Sequence, residues 1–177
     1  GVNGNGMHTN LSVNRKGKNL FYDAKGADML SKAGWDFIDR ILTSANDICI
    51  MLNSSVNSYR RLDPHFEAPN QIKASPTDRG SMVRIPLGNE RSARIEVRSV
   101  APDSNPYMSV YTILRTGLEG PKSAGLGKNE KARYLPDNIY DAIELFTSSS
   151  YTRTLYGDVR DRFAELVARH QRRAIRI

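Results

Sequence analysis

Apolar side chains return every three or four residues along the segment from Ala27 to Leu52, where they include Leu30 and Phe37. This spacing is typical of a helix that buries one face. The same spacing recurs from Thr152 to His170, with Leu155 among its apolar positions. Each segment therefore predicts one helix.

Two further helices are indicated by their start signals. Asn105-Pro106 opens an apolar stretch that continues to Leu118 and is closed by Gly120. Pro136-Asp137 likewise introduces a helix from Asn138 to about Phe146. The segment from Pro121 to Arg133 has no apolar period and is predicted to be a loop.

Other parts of the chain alternate with a period of two. Met7 to Val13 predicts a strand, and a turn is expected from Arg15 to Asn19. From Val56 to Pro106 there are prolines and short strands but no helical period. Ala93 to Arg98 alternates strictly, so a strand there would place its three charged side chains on one face. These side chains are Arg94, Glu96 and Arg98.

Composition sets broad limits on the class of protein. The chain has 177 residues, 39% of them hydrophobic and 25% charged, which suits one soluble globular domain. Its formal net charge of +7 fits a generally basic surface, an anion site with a basic tail, or a nucleic-acid partner. The scattered arginines and the lack of an aromatic-basic stripe make nucleic acid the weakest of these.

Cys49 is the single cysteine, which excludes an internal disulfide and favours a reducing compartment. It lies in an apolar helical run and is predicted to be a core residue. No apolar run approaches transmembrane length, and the start of the sequence lacks a signal-peptide pattern. We therefore expect a cytoplasmic protein with no membrane partner.

Arginines recur from Asn57 to Arg98 among glycines, prolines and short apolar runs. The guanidinium group is a planar fork of donors that matches phosphate and carboxylate. Glu96 between two arginines could pair with them or hold a divalent metal. From the pattern alone, weak ion pairs on a solvent-facing strand and a solvated His8 are the simpler interpretations.

Seven short motifs occur in one order and spacing between Asn3 and Gly120, and together they resemble the glutamine synthetase family. They are Asn3–His8, Asn57–Leu62, Phe66–Pro69, Asp78–Gly80, Arg84–Pro86, Arg94–Arg98 and Ala101–Tyr107.

The resemblance implies an α+β fold in which antiparallel strands form part of a catalytic barrel flanked by helices. Residues 1–120 would be the C-terminal half of the catalytic domain, and residues 121–177 its loop and C-terminal helical section. The N-terminal half would then be a missing partner, the parent a homo-oligomer, and the chain alone inactive.

The family phosphorylates the side-chain carboxylate of glutamate with ATP and then joins it to ammonia. By resemblance, Arg79, Arg84 and Arg94 contact nucleotide phosphates and the developing phosphoryl charge. Asn10 and Ser12 would lie on the nucleotide side. Many bacterial members have a second histidine where this chain has Asn10.

The resemblance also implies a substrate site and a metal site. Arg61 and Arg98 match positions that hold the carboxylates of glutamate, with Asn3 and Gly4 lining the same pocket. His8 and Glu96 match two ligands of a bridging Mg²⁺ or Mn²⁺. Glu67 matches a flap residue that closes the site and helps to receive ammonium, and it would be catalytic together with Arg79.

Two alternatives stay open. A sister ligase of the same family would join glutamate to an amine such as a polyamine, and a non-catalytic member would be retained for assembly. Tyr134 is a weak match to the tyrosine that some bacterial members adenylylate, so that regulation is not supported.

Overall fold

The computed structural model describes residues 4–62, 68–123 and 132–174. Within these ranges the chain forms six strands and seven α-helices. The strands are β1 (Thr9–Leu11), β2 (Asn14–Arg15), β3 (Lys18–Asn19), β4 (Gln71–Ser75), β5 (Ser81–Arg84) and β6 (Ile95–Val97). The helices are α1 (Lys32–Thr43), α2 (Ala45–Leu52), α3 (Val56–Arg61), α4 (Pro106–Glu119), α5 (Ile139–Ser148), α6 (Ser150–Tyr156) and α7 (Val159–Ala174).

The two long periodic segments each form two helices, so the prediction of single helices was wrong. Ser44 (φ −94°, ψ 8°) separates α1 from α2, and Gly157 (φ 54°) separates α6 from α7. A short 3₁₀ turn, Ala27–Met29, precedes α1. Breaks of one or two residues keep the apolar faces nearly in phase, so periodicity alone does not reveal them.

The start signals located the other helices well. The Asn105 side chain caps α4, accepting from the backbone N–H groups of Tyr107 and Met108. Asn138 caps α5 in the same way. The short helix α3 was not predicted, because its six residues include a single aliphatic side chain, Val56.

The sheet is mixed rather than antiparallel, which corrects the predicted strand arrangement. Its order is β1-β6-β5-β4, with β1–β6 and β5–β6 antiparallel and β4–β5 parallel. The parallel pair needs a tight return, and Asp78 stabilises it by accepting from the N–H of Gly80 at 2.8 Å. Ser75 Oγ accepts from the N–H of Asp78 at 3.0 Å. The four strands do not close into a barrel within the described residues, so the barrel prediction is not confirmed.

The expected turn after β1 is a separate hairpin of β2 and β3. Lys16 and Gly17 both have positive φ, 50° and 80°. Two consecutive residues of this kind match the turn that best fits the twist of two-residue hairpins.

The core lies between the sheet and the helices, where α1 packs against α4 and α2 against α5. Its largest fully buried side chains include Phe21, Phe37 and Phe146. Cys49 is 1% exposed, which confirms that it is a core residue. Burial raises the pKa of its thiol to about 12, so the thiol stays protonated and unreactive.

The outward face of α4 carries five apolar or aromatic side chains beside the ion pair of Arg115 and Glu119. Side chains three, four or seven positions apart lie on this face and are partly or largely exposed: Tyr107, Val110, Tyr111, Leu114 and Leu118. No helix in the described ranges is long and apolar enough to cross a membrane.

The contact between α1 and α4 depends on a glycine. A Cβ at Gly117 would lie 2.1 Å from Cζ of Phe37. The Phe37 ring is 1% exposed and packs edge-on against Phe21 at a centroid distance of 5.3 Å, so it has little room to withdraw.

We expect Gly117→Ala to destabilise the chain by about 1–3 kcal/mol, because the overpacking cost outweighs the gain in helix propensity of about 1 kcal/mol. Chemical denaturation of the chain measures the change. In a Phe37→Leu background the same substitution should cost much less, because the smaller side chain leaves space. An equal cost in both backgrounds would contradict the steric explanation.

Candidate active site

An open cleft of about 510 Å³ lies where β1, β5 and β6 meet the β4–β5 turn. It is lined by charged and polar side chains together with one proline: His8, Pro76, Thr77, Asp78, Arg79, Arg84, Glu96 and Arg98. Five of the residues assigned by resemblance therefore share one cavity. These are His8, Arg79, Arg84, Glu96 and Arg98.

The carboxylate of Glu96 is the centre of this cleft, and Glu96 is only 6% exposed. Its Oε1 lies 2.9 Å from Nδ1 of His8 and 3.7 Å from Nε of Arg98. Its Oε2 accepts from Nη1 of Arg84 at 3.0 Å. The simple interpretation of Glu96 as a residue of a solvent-facing strand is therefore wrong.

Strand register explains this convergence. Because β6 lies between β1 and β5, Glu96 stands opposite Asn10 on one side and Arg84 on the other. His8 immediately precedes β1 and reaches the same carboxylate. The segment before β1 thus places His8 on one side of Glu96, and β5 places Arg84 on the other side.

The surroundings of His8 favour its neutral form. Burial and the charge of Arg98 lower its pKa below the ordinary value of 6.5, although Glu96 acts in the opposite direction. A neutral imidazole that donates from Nδ1 to Glu96 keeps a lone pair on Nε2. In this arrangement Nε2 points away from Glu96, so the contact between Nδ1 and Oε1 would have to open before both residues could hold one ion.

His8 and Glu96 fit a partial metal site. An imidazole nitrogen and carboxylate oxygens suit Mn²⁺, and the carboxylate also suits Mg²⁺. Among the described residues no group of three or more His, Cys, Asp or Glu side chains could hold a metal ion. These two residues would therefore supply part of a ligand set.

Arg98 organises the turn that carries Arg79. Its Nη1 donates to the backbone carbonyl of Arg79, while its Nε faces Glu96. On the other side of the turn, Lys73 Nζ forms an ion pair with Oδ2 of Asp78 at 2.5 Å. Arg79 is thus presented to the cleft from a turn in which its own carbonyl and the neighbouring carboxylate of Asp78 are both held.

Arg61 approaches the cleft from α3 without lining it. Its Nη2 donates to the carbonyl of Ser99 at 2.5 Å and lies 3.4 Å from Oδ1 of Asn53. Burial lowers the pKa of this guanidinium, and the charge of Arg98 lowers it further.

Two glycines permit this approach. A Cβ at Gly4 would lie 2.8 Å from Cγ of Arg61, and a Cβ at Gly6 would lie 2.8 Å from Nε2 of His8 and 3.3 Å from Nη1 of Arg61. His8 and Arg61 therefore meet across a segment where side chains have no space.

The remaining residues assigned to the nucleotide lie beside the cleft or away from it. Arg94 Nε donates to Oδ1 of Asn10 at 3.0 Å, and Asn10 pairs with Glu96 in the sheet. Arg94 and Glu96 therefore share one face, as the alternation predicts. Ser12 Oγ accepts from Nδ2 of Asn14 at 3.4 Å and does not line the cleft. Asn3 and Glu67 lie outside the described residues.

Sequence reasoning missed the residues that support the arginines. Asp78 belongs to the motif Asp78–Gly80, but the resemblance assigns it no function, although an aspartate before a glycine is a known turn signal. Asn53 and Ser99 gave no signal, because one acts through a buried amide and the other through a backbone carbonyl.

The environment of His8 gives a prediction that needs no substrate. In an NMR titration of the chain, His8 should titrate below 6.5. Glu96→Gln should lower this pKa further, because it removes the carboxylate that raises it. Gly6→Ala should raise it, because a displaced ring is less buried. His8→Gln assigns the signal among the three histidines of the chain. Shifts in the same direction for both variants would contradict this description.

Comparisons with known proteins identify the family of the chain. The family described as glutamine synthetase, catalytic domain, matches residues 1–172. Glutamine synthetase of Clostridium saccharobutylicum is 32% identical over 174 residues, and the match covers 89% of this chain and 39% of the relative. Glutamine synthetase of Staphylococcus aureus strain MRSA252 is 42% identical over 141 residues, covering 80% of this chain and 31% of the relative.

Two solved structures share the fold. Apo GmaS without ligand superposes with a TM-score of 0.81 at 28% identity, over 98% of this chain and 42% of that protein. Plasmodium falciparum glutamine synthetase, solved by cryo-EM, gives 0.85 at 17% identity, over 98% of this chain and 45% of that protein. The chain thus spans less than half of the length of these relatives. With nearly all of its residues matched, the chain belongs to the glutamine synthetase catalytic-domain family.

Proposed function

We propose that the protein takes part in the ATP-dependent ligation of glutamate to ammonia, through a γ-glutamyl phosphate. The observation that carries the proposal is the convergence of His8, Glu96 and arginines in one open cleft. The reaction brings a triphosphate and a dicarboxylate together, so its site needs an excess of fixed positive charge.

The cleft supplies that charge. Three arginines line it against two carboxylates, and one of these, Asp78, is already paired with Lys73. Arg79 and Arg84 are proposed to contact the transferring phosphoryl group, where preorganised cations stabilise developing negative charge. Arg94, beside Asn10, would contact the nucleotide further out.

His8 and Glu96 are proposed to help hold Mg²⁺ or Mn²⁺. When bound, the ion would neutralise charge on the phosphate oxygens. In the protein alone Arg84 and Arg98 balance the charge of Glu96. With Glu96 holding the ion, Arg84 would be available to phosphate oxygens and Arg98 to a substrate carboxylate.

The substrate carboxylates are assigned to Arg61 and Arg98, with Gly4 and Asn3 beside them. Arg61 is fixed by Ser99 and Asn53 before any substrate arrives. This preorganisation lowers the cost of orienting glutamate. Glu67 is proposed to close the site and receive ammonium.

The identity of the acceptor is tested directly. The full-length natural protein is incubated with ATP, glutamate and either ammonium, methylamine or putrescine, and ADP release and product are followed. Glutamine as the main product supports the proposal, whereas a preference for an amine supports the sister ligase. Absence of glutamate-dependent ADP release with every acceptor would favour a non-catalytic role in assembly.

The division of labour among the arginines gives one prediction. Arg61→Ala should raise the KM for glutamate by about tenfold or more, because it removes a charge-assisted fork, and should change the KM for ATP less. Arg98→Ala should raise the KM for glutamate as well, and also that for ATP, because Arg98 holds the turn that carries Arg79. Steady-state kinetics of the full-length protein measures both constants. Arg115→Ala, on the exposed side of α4, is the matched control. Equal effects of Arg61→Ala on both constants would contradict the assignment.

Glu96 gives a second prediction. Glu96→Gln keeps the shape of the side chain but removes its charge, so the metal concentration for half-maximal activity should rise by tenfold or more. The melting temperature of the same variant shows whether folding has changed. An unchanged metal dependence with a lower melting temperature would mean that Glu96 is a structural ion-pair partner.

A further inference from the structure

The short helix α3 carries Arg61 as its last residue. Six residues are too few for a stable helix by themselves, because nucleation costs more than so few hydrogen bonds return. The orientation of Arg61 therefore depends on what holds α3 from outside.

Asp103 holds the first turn of α3. Ser58 Oγ donates to Oδ1 of Asp103 at 3.0 Å, and Ser55 Oγ donates to Oδ2 of the same carboxylate. The Ser55 hydroxyl oxygen in turn accepts from the backbone N–H of Ser58 at 3.2 Å, which caps the helix. Two hydroxyl groups and one carboxylate thus fix the start of α3.

The same loop holds the far end of the helix. Residues 98–105 connect β6 to α4, and within them the carbonyl of Ser99 accepts from Nη2 of Arg61 at 2.5 Å. The loop is itself anchored to the end of α2, because the N–H of Ala101 donates to the carbonyl of Leu52 at 2.9 Å. Ser104 Oγ also donates to the carbonyl of Leu52, at 2.5 Å.

The negative charge of Asp103 also stabilises α3 and Arg61 electrostatically. A negative charge is favourable at the N-terminus of a helix, where the free N–H groups carry partial positive charge. The charge of Asp103 also favours the charged form of Arg61. A single carboxylate therefore stabilises both the start of α3 and the cation at its end.

We propose that Asp103, acting through Ser55 and Ser58, is a positioning residue that sets the orientation of Arg61 for the carboxylate of the substrate. The inference rests on the proposed function, because Arg61 is assigned to glutamate there. Asp103 itself does not line the cleft.

The test measures binding by the full-length natural protein, with isothermal titration calorimetry of L-glutamate and of Mg-ATP. Asp103→Ala should raise the Kd for glutamate by about tenfold, since small misplacements of a binding group are costly. The Kd for Mg-ATP should change less than about twofold. Asp103→Asn keeps one carbonyl acceptor for a serine hydroxyl, so its effect should be intermediate. Asp28→Asn, the same chemical change in the 3₁₀ turn before α1, is the matched control.

A double-mutant cycle separates positioning from general stabilisation. In an Arg61→Ala background, Asp103→Ala should have almost no further effect on glutamate binding, because it acts through the missing guanidinium. Additive effects, or equal losses for glutamate and Mg-ATP, would overturn the inference. An effect of Arg61→Ala without one of Asp103→Ala would overturn it while leaving the proposed function intact. No effect of either variant would overturn both.

Discussion

The buried carboxylate of Glu96 is the constraint on which the site depends. A charge that is 6% exposed is costly unless it is paired and hydrogen-bonded. The three partners that meet this need come from the segment before β1, from β5 and from the end of β6. The strand register that forms the backbone hydrogen bonds of the sheet is therefore also the register that brings Glu96 to its charged partners. A shift of one residue would turn Glu96 into the core and leave its partners without an acid.

The arginines in turn have to be kept apart. The charge of Arg98 lowers the pKa of Arg61, so the two cations disfavour each other. Each is held by a neutral backbone carbonyl, that of Ser99 for Arg61 and that of Arg79 for Arg98. Carbonyls fix the direction of a guanidinium without cancelling its charge. The charge of Arg61 is thereby retained for an incoming anion, whereas that of Arg98 is shared with Glu96.

The sequence predicted elements better than it predicted their arrangement. The asparagine caps located α4 and α5, because a cap is a local interaction between neighbouring residues. The parallel pairing of β4 and β5 is not local in this sense, and the turn that allows it depends on Asp78 and Ser75. The helix breaks at Ser44 and Gly157 were not predicted, because the apolar period continues across them.

The same distinction applies to the site. Arginines and a glutamate in recognisable motifs identified the groups that line the cleft. The sequence did not reveal the groups that orient Arg61. These are the buried amide of Asn53, the backbone carbonyl of Ser99 and the carboxylate of Asp103 in the loop between β6 and α4. Each of these residue types is common, and none indicates a function by itself. Only the fold shows that the loop between β6 and α4 contacts both ends of α3. A short helix with few apolar residues can carry a binding group in this protein because polar contacts replace the missing hydrophobic anchor.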